Sequence, residues 1–399
     1  HTSISPLVLF KMSDSKKLET YVAYREHLRW LLDFAGLWPS EDSTSAYRML
    51  PYLQIFVGCG AAMKIGNFIA HHITSIRIVT RAMSIMTSII LNMFRVVCLA
   101  RNREPLIKAR KILDSYFDEL LVNEKFREVV LHDVKLFRRL SLFYTVLTFF
   151  ALFGYVLTPL IIIIKQHVHH VKPVKYPLIL LGMYPWTVPD NIFIYTVHYI
   201  FEAFALFTVF YVSSGTDAFL PLLVFQVKGK LRAMAYRLTE IGEKDSIDEE
   251  MGQCIRDYTA LMECRDILEK TFGPIILLLM SNNAIILCAL IFQFTQMKAI
   301  TIVQIIQFAA YICGKTTQTF LYSWSGTLLS SKSEEYLGAV YAANWYGNRR
   351  GMNSVLITLI QKPLTMTAWH MSVVSVDMFV MVLNTTMSYF LLLQTIEQG

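Results

Sequence analysis

The sequence predicts an all-α, polytopic membrane protein with seven transmembrane helices, its N-terminus cytosolic and its C-terminus extracellular. Three observations carry the prediction. Of the 399 residues, 54% are hydrophobic and only 17% charged, with a mean hydropathy of +0.44, which is more apolar surface than one soluble core needs. Apolar runs long enough to cross a hydrocarbon layer of roughly 30 Å lie near 49–71, 83–100, 141–164, 191–213, 273–295, 301–323 and 370–396. The basic residues are also lopsided: the segments up to Arg48, 101–139, 227–270 and 332–362 hold almost all of the 37 Lys and Arg. The exceptions are Arg77, Arg81, Lys165, Lys172, Lys175 and Lys298 in the alternate loops, and Lys64, Arg95 and Lys315 inside spans. Positive loops stay in the cytosol, and an odd number of spans then places the C-terminus outside.

The chain divides accordingly into a cytosolic segment 1–48, spans one to four over 49–226 with an outer loop at 165–190, and a polar helical segment at 227–272. Spans five and six follow at 273–323, then a helix-prone stretch at 324–367 and a last span within 368–399. In the first segment, Leu28, Leu31, Leu32 and Ala35 face away from Arg25, Glu26 and Arg29, which predicts an amphipathic helix over Tyr24–Trp38 lying at the membrane interface. Trp30 and Trp38 are its expected anchors and Pro39 its expected end.

Gly58-Cys59-Gly60 in the first span lacks the third glycine and the preceding strand of a dinucleotide site, so close helix packing is the reading. His71-His72 and His167-x-His169-His170 cluster on the outer side in the manner of Zn²⁺ or Cu²⁺ ligands. No cysteine or carboxylate completes either site, so they are read as solvated histidines and no metal or other cofactor is assigned. Residues 101–139 mix charges at helical spacing and predict a solvated connector. Cys59, Cys98, Cys288 and Cys313 fall in spans and Cys254 and Cys264 in a cytosolic loop, where they are read as reduced surface thiols, so no disulfide is expected.

In the fourth span Tyr195, His198, Tyr199 and Glu202 share a helical face. Glu202 must turn inward, either to a ligand or to a hydrogen bond from another span. Lys228, Lys230, Arg232 and Arg237, with Leu231, Met234, Leu238 and Ile241, form a basic amphipathic helix. It suits calmodulin or anionic lipid, or packing against the cytosolic parts of spans six and seven. The sequence has no Gly-x-Ser-x-Gly, Walker loop or His-Glu-x-x-His, so it points to no enzyme. The sequon Asn384-Thr385-Thr386 lies inside the last span.

The last eighty or so residues carry a resemblance. Leu321-Tyr322-x-x-Ser325-Gly326-x-x-Leu329, Ser333-Glu334, Ala339-x-Tyr341-x-x-x-Trp345, Gln361-Lys362-Pro363-Leu364 and Ser388-Tyr389-Phe390 follow one another in the order of the C-terminal signature of insect odorant receptors. Tyr184-Pro185-Trp186-x-x-Pro189-Asp190 resembles the lid before that family's fourth span, and Asp217 stands where it usually has an acidic residue. The resemblance implies an odorant-tuning subunit of a non-selective cation channel, assembled as a heterotetramer with the co-receptor Orco. It implies plasma-membrane localisation in olfactory neuron dendrites, contact with lipid, permeating cations and a small volatile odorant, and no nucleic-acid partner. It further implies a cytosolic anchor domain, whose counterparts here are 227–272, 324–346 and 351–367. Trp369-His370 replaces the family's small residues, so the hinge before the last helix is expected to differ. The rival classes fit less well: a gustatory receptor lacks the Gln-Lys-Pro-Leu element, a G-protein-coupled receptor has the opposite orientation, and a transporter shows inverted repeats.

Under this reading, Met83, Phe150, Gly154, Tyr195, His198, Tyr199, Ile285, Phe308 and Tyr311 are the expected ligand-binding residues in the outer halves of spans two to six. A volatile ligand is small and mostly apolar, so area burial and ring contacts hold it. Thr385, Ser388, Leu392, Thr395 and Ile396 fall on one stripe of the last span and are the expected pore lining. Leu392 is the constriction, Thr395 the polar ring beside it, and Glu397 a source of negative potential at the outer mouth.

Overall fold

The computed structural model describes residues 6–170, 174–186, 191–240, 247–295, 302–343 and 349–398. The described helices are α1 (Pro6–Phe34), α2 (Ser45–His71), α3 (Ile76–Arg101), α4 (Arg103–Val122), α5 (Glu124–Val130), α6 (Val134–Val168), α7 (Ile192–Glu240), α8 (Ile247–Thr295), α9 (Ile302–Ala342), α10 (Arg349–Ile360) and α11 (Val376–Gln398). A short antiparallel hairpin, β1 (Thr367–Ala368) and β2 (Ser372–Val373), precedes α11. The fold is that of a seven-span membrane protein. Six helices, α2, α3, α6, α7, α8 and α11, are long and apolar enough to cross a membrane among the described residues. The first half of α9 supplies the remaining span; Gln304, Gln307, Lys315 and Gln318 dilute its apolarity.

The spanning helices run on past the apolar layer. At about 1.5 Å per residue, the 49 residues of α7 and of α8 reach more than twice the thickness of a hydrocarbon core. Their polar ends join α1, α4, α5, α9 and α10 in a helical bundle on the basic side of the molecule. The main core lies there, around Tyr24, Leu28, Phe117, Phe137, Phe219, Phe225, Tyr258, Tyr322 and Tyr336. The apolar half differs, because lipid solvates aliphatic and aromatic groups as well as a core does. Phe150, Ile164, Phe193 and Ile306 point outward. Burial ranks the spans: 72% of the most apolar window of α8 is enclosed by protein against 6% for α6, so α8 is central and α6 peripheral.

Several expectations from the sequence are corrected by packing. The N-terminal helix turns its apolar face to protein: Tyr24, Leu28, Leu31, Leu32 and Ala35 are buried, and the Tyr24 hydroxyl meets Ser141 and donates to the Ala218 carbonyl. Trp38 is no anchor but sits 3% exposed beside Phe219, and Trp30 alone of the pair is exposed. The helix ends before Pro39, at Gly36, whose φ of +68° and the bonds Gly36 N–H to Asp33 and Leu37 N–H to Leu32 make a Schellman stop.

Residues 101–139 are not a solvated connector, since Leu106, Ala109, Leu113, Phe117 and Leu120 of α4 enter the core. The basic helix is spent internally: Lys228 and Arg232 pair with Asp133, Lys230 with Asp257 at 2.7 Å and Arg237 with Glu119 at 3.7 Å. Its ion-pair partners come from α4, the start of α6 and α8, while Leu231, Met234 and Leu238 share one core with Leu329, Tyr336 and Val340 of α9, and Ile241 lies outside the described residues. Cys254 and Cys264 are buried, not surface thiols.

The hinge at Trp369-His370 is a β-turn. Met371 N–H donates to Ala368 O at 3.0 Å, and both central residues have positive φ, 51° and 58°, as a type I′ turn demands. Two residues with side chains in that region cost roughly 1–2 kcal/mol each. The turn lies against α8 at Gly273, where a Cβ would come within 2.9 Å of the Thr367 carbonyl.

Candidate functional site

A cavity of about 100 Å³ opens in the apolar half between α3, α6, α7, α9 and the loop 174–186. Its sides are Ile85 and Ile89 of α3, Ala151, Leu152 and Tyr155 of α6, Leu206 and Val209 of α7, and Ala310 and Tyr311 of α9. Aliphatic and ring surface of this kind holds a small apolar molecule.

The ceiling is Ile179 and Leu180, pinned by a buried ion pair. Lys64 of α2 and Glu202 of α7 bond to each other, and both bond to the backbone of Leu180: Lys64 Nζ donates to its carbonyl at 2.8 Å and Glu202 accepts its N–H at 2.7 Å. The Tyr184 hydroxyl adds a bond to Glu202 at 3.0 Å. Two buried charges are tolerable here because each is paired and also hydrogen-bonded. Gly182 permits the approach, since a Cβ there would stand 2.7 Å from Lys64 Cγ. Tyr184 stacks on Trp186, whose indole donates to His198 at 3.3 Å; Pro189 and Asp190 lie outside the described residues.

The floor is polar: Tyr144, Ser213, Lys315 and Gln318. Directly beneath it Asp217, fully buried, accepts from Tyr144 at 2.7 Å, Ser213 at 3.2 Å, Tyr322 at 2.7 Å and Gln318, and pairs with Arg95 at 2.9 Å. Asn283 of α8 donates to Gln318 at 3.1 Å and to Thr319 at 3.0 Å. One carboxylate thus ties α3, α6, α7 and α9 together, with α8 joined through Gln318. The sequence marked Asp217 only as standing where the family has an acidic residue; the structure makes it the hub of the bundle.

From Tyr322, α9 runs one turn to Gly326, where a Cβ would lie 2.1 Å from the Val374 carbonyl oxygen. Val376 N–H donates to Thr327 Oγ1 at 2.9 Å, so the strand entering α11 is fastened to α9. Lower down, Ser333 accepts the Leu364 N–H at 2.8 Å, and Tyr258 bridges Ser333 and the Lys362 carbonyl at 3.1 and 3.0 Å. Two separate pieces of the C-terminal motif, Ser333 and Lys362–Leu364, thus meet in space, whereas Phe390 packs with Cys288 and Phe292; Trp345 lies outside the described residues.

Of the expected ligand-binding residues, Tyr311 lines the cavity. The others do not. Met83, Phe150 and Ile285 are exposed on the outside of the bundle, Gly154 backs onto Gln307, and Phe308 packs on Phe294. Tyr195 and Tyr199 spend their hydroxyls on the carbonyls of Pro177 at 3.0 Å and Val156 at 2.6 Å, and His198 belongs to the lid. On α6 the error is one residue: Phe150 and Gly154 were expected where Ala151 and Tyr155 stand, a rotation of about 100° about the helix axis. Periodicity tells which residues share a face, but lipid and an apolar cavity attract the same side chains.

On α11 the packed stripe is Met378, Val382, Thr386 and Phe390, and the opposite face is free. Ser388, Leu392 and Thr395 lie on the free face and Thr385 at its border. The side chains of Ile396 and Glu397 lie outside the described residues.

The arrangement has counterparts among known proteins. The structure of the insect olfactory receptor OR5 from Machilis hrabei in complex with eugenol superposes with a TM-score of 0.76 at 13% identity, over 94% of this chain and 99% of that one. Odorant receptor 13a of Drosophila melanogaster is 21% identical over 92% of this chain and 94% of its own length. The odorant receptor coreceptor of Anopheles gambiae is 30% identical over a shorter stretch, 31% of this chain and 26% of its own. The family model described as the 7tm odorant receptor matches residues 75–387, a span that takes in the cavity, the Asp217 hub, the hairpin and most of α11; the chain belongs to that family.

Proposed function

We propose that this chain is the odorant-binding subunit of an odorant-gated, non-selective cation channel, assembled with the co-receptor Orco in the plasma membrane with its basic half in the cytosol. The observation that carries the reading is the apolar cavity under the pinned loop, whose floor leads by contiguous contacts to the last helix. A ligand in the cavity touches Tyr144, Ser213 and Gln318 directly; these bond to Asp217, Asp217 to Tyr322, and the helix of Tyr322 grips the strand that enters α11 at Gly326. A rearrangement at the floor therefore has a packed route to α11.

Two free surfaces suit an assembly of four subunits. α11 leaves Met381, Ser388, Leu392 and Thr395 without protein neighbours, the mixed stripe that a central pore lined by one helix from each subunit would use. Leu392 supplies the apolar constriction. In the basic half α10 exposes Met352, Leu356, Ile357 and Ile360, an apolar patch that an anchor contact between subunits would cover.

The test is electrical. Cells expressing this chain with Orco are expected to pass cation current on exposure to a member of a volatile panel, and cells expressing either alone are not expected to show the same ligand profile. Leu392→Ala should raise current in the absence of odorant. Surface-expressed complexes that respond to no volatile, with basal current unmoved by Leu392→Ala, would overturn the reading.

A further inference from the structure

Lys315 is the odd member of the cavity wall. Its ammonium reaches one acceptor, Gln318 Oε1 at 3.3 Å, and lies over the Tyr311 ring at 5.8 Å. Among the described residues no carboxylate lies within ion-pair distance of it, since Asp217 is taken by Arg95. The serine, threonine and glutamine groups of the wall are committed to the protein. Ser88 and Thr148 donate back to their own helices. Ser213 receives Arg95 and donates to Asp217, and the Gln318 amide donates to Tyr144 and Asp217. Among the described residues of the wall Lys315 is the one cation without a carboxylate partner, and with Arg95 against the single Asp217 it leaves the buried cluster one positive charge in excess.

We infer that the cavity is selective for a small amphiphile carrying a carboxylate, the head group meeting Lys315 at the floor and the aliphatic tail lying between Tyr155, Tyr311, Leu206 and Ile89. An uncompensated cation in low dielectric gains most from an anionic acceptor, and a charge-assisted bond is about twice as strong as a neutral one. The volume is on the order of engineered cavities that take up benzene, so the ligand has about six to eight heavy atoms. The inference rests on the proposed odorant-binding reading and adds the chemical class.

The probes are hexanoate, hexanal and hexanol at neutral pH, with two readouts: current from cells co-expressing the chain and Orco, and the shift in unfolding temperature of the purified complex. Hexanoate is expected to act at about tenfold lower concentration than hexanol, or lower still, as a bond to a charged partner implies. Lys315→Met should abolish that preference, bringing hexanoate to the potency of hexanol or below it, and Lys315→Arg should keep the preference. Hexanoate no better than hexanol on the native complex, or an unchanged ranking in Lys315→Met, overturns the inference. If that variant does not reach the surface, the ranking on the native complex decides. Current evoked by volatiles without carboxylate preference sinks this inference and leaves the channel reading intact; Lys315-dependent stabilisation by hexanoate without current from any ligand does the reverse.

Discussion

Tyr322 donates its phenol proton to Asp217 Oδ1 at 2.7 Å, joining α9 to α7 across 105 positions of sequence. The tyrosine belongs to the C-terminal motif and the aspartate lies under the apolar cavity, so one bond connects the cavity floor to the motif. Removing it with Tyr322→Phe should cost about 1–3 kcal/mol, the usual penalty for depriving a buried acceptor of a partner. Ligand-induced stabilisation of the purified complex should persist while the maximal odorant-evoked current falls. Equal loss of binding and current would mean that this bond only supports the cavity.

Gly326 has no room for a side chain, because a Cβ would meet the Val374 carbonyl oxygen at 2.1 Å and backbone on both sides must move. Gly326→Ala should therefore destabilise the packing of α9 on the entry to α11 by about 1–3 kcal/mol. Thermal unfolding of the variant measures it, and Gly338→Ala, at a glycine with open space around its Cβ, is the control that should leave the midpoint nearly unchanged. A native midpoint for Gly326→Ala would contradict the close contact.

The lid depends on a buried charge pair, and breaking such a pair from one side costs more than removing both charges. Glu202→Gln leaves Lys64 uncompensated and should cost roughly 3–5 kcal/mol, with faster amide exchange across 174–186. The double substitution Lys64→Met with Glu202→Leu should recover most of the loss. If the double variant is as unstable as the single, the pair is not what holds the loop.

His27 makes the basic half acid-sensitive. Burial pushes its imidazole below the ordinary value of 6.5, and Arg138 adds to the effect; its Nε2 is buried without a partner. A histidine with a depressed folded pKa binds protons more readily when unfolded, so stability is full above about pH 6.5 and falls as pH drops through the folded value. Asp133 acts in the same direction only below its ordinary 3.8: burial raises it, but bonds from Lys228 and His132 outweigh that and hold it lower. Unfolding midpoints should therefore decline between pH 6.5 and 5 in the native chain and flatten there in His27→Gln. A parallel decline in both would assign the sensitivity to other groups.

The sequence alone determined the fold class. Hydrophobic run length and composition follow from the thickness of the bilayer, a one-dimensional constraint that needs no knowledge of tertiary contacts. It also marked Tyr322, Ser325, Gly326, Ser333 and the Gln361–Leu364 segment, whose order along the chain is itself a signature. It flagged, without pairing them, the ionisable residues inside the spans: Lys64, Arg95, Lys315 and Glu202. Such charges are expensive in hydrocarbon and so must have partners, but partner choice depends on helix rotation and neighbour identity, which only tertiary packing decides. Lys64 finds Glu202 across 138 positions, and Arg95 finds Asp217 on another helix. The cavity wall was illegible for a related reason: a helix turned by one residue exchanges its lipid face for its cavity face without changing the apolar pattern that reports either. The ion-pair partners of the basic helix of α7 were illegible for the opposite reason, because nothing in a run of lysines reveals that Asp133 and Asp257 fold back to neutralise it.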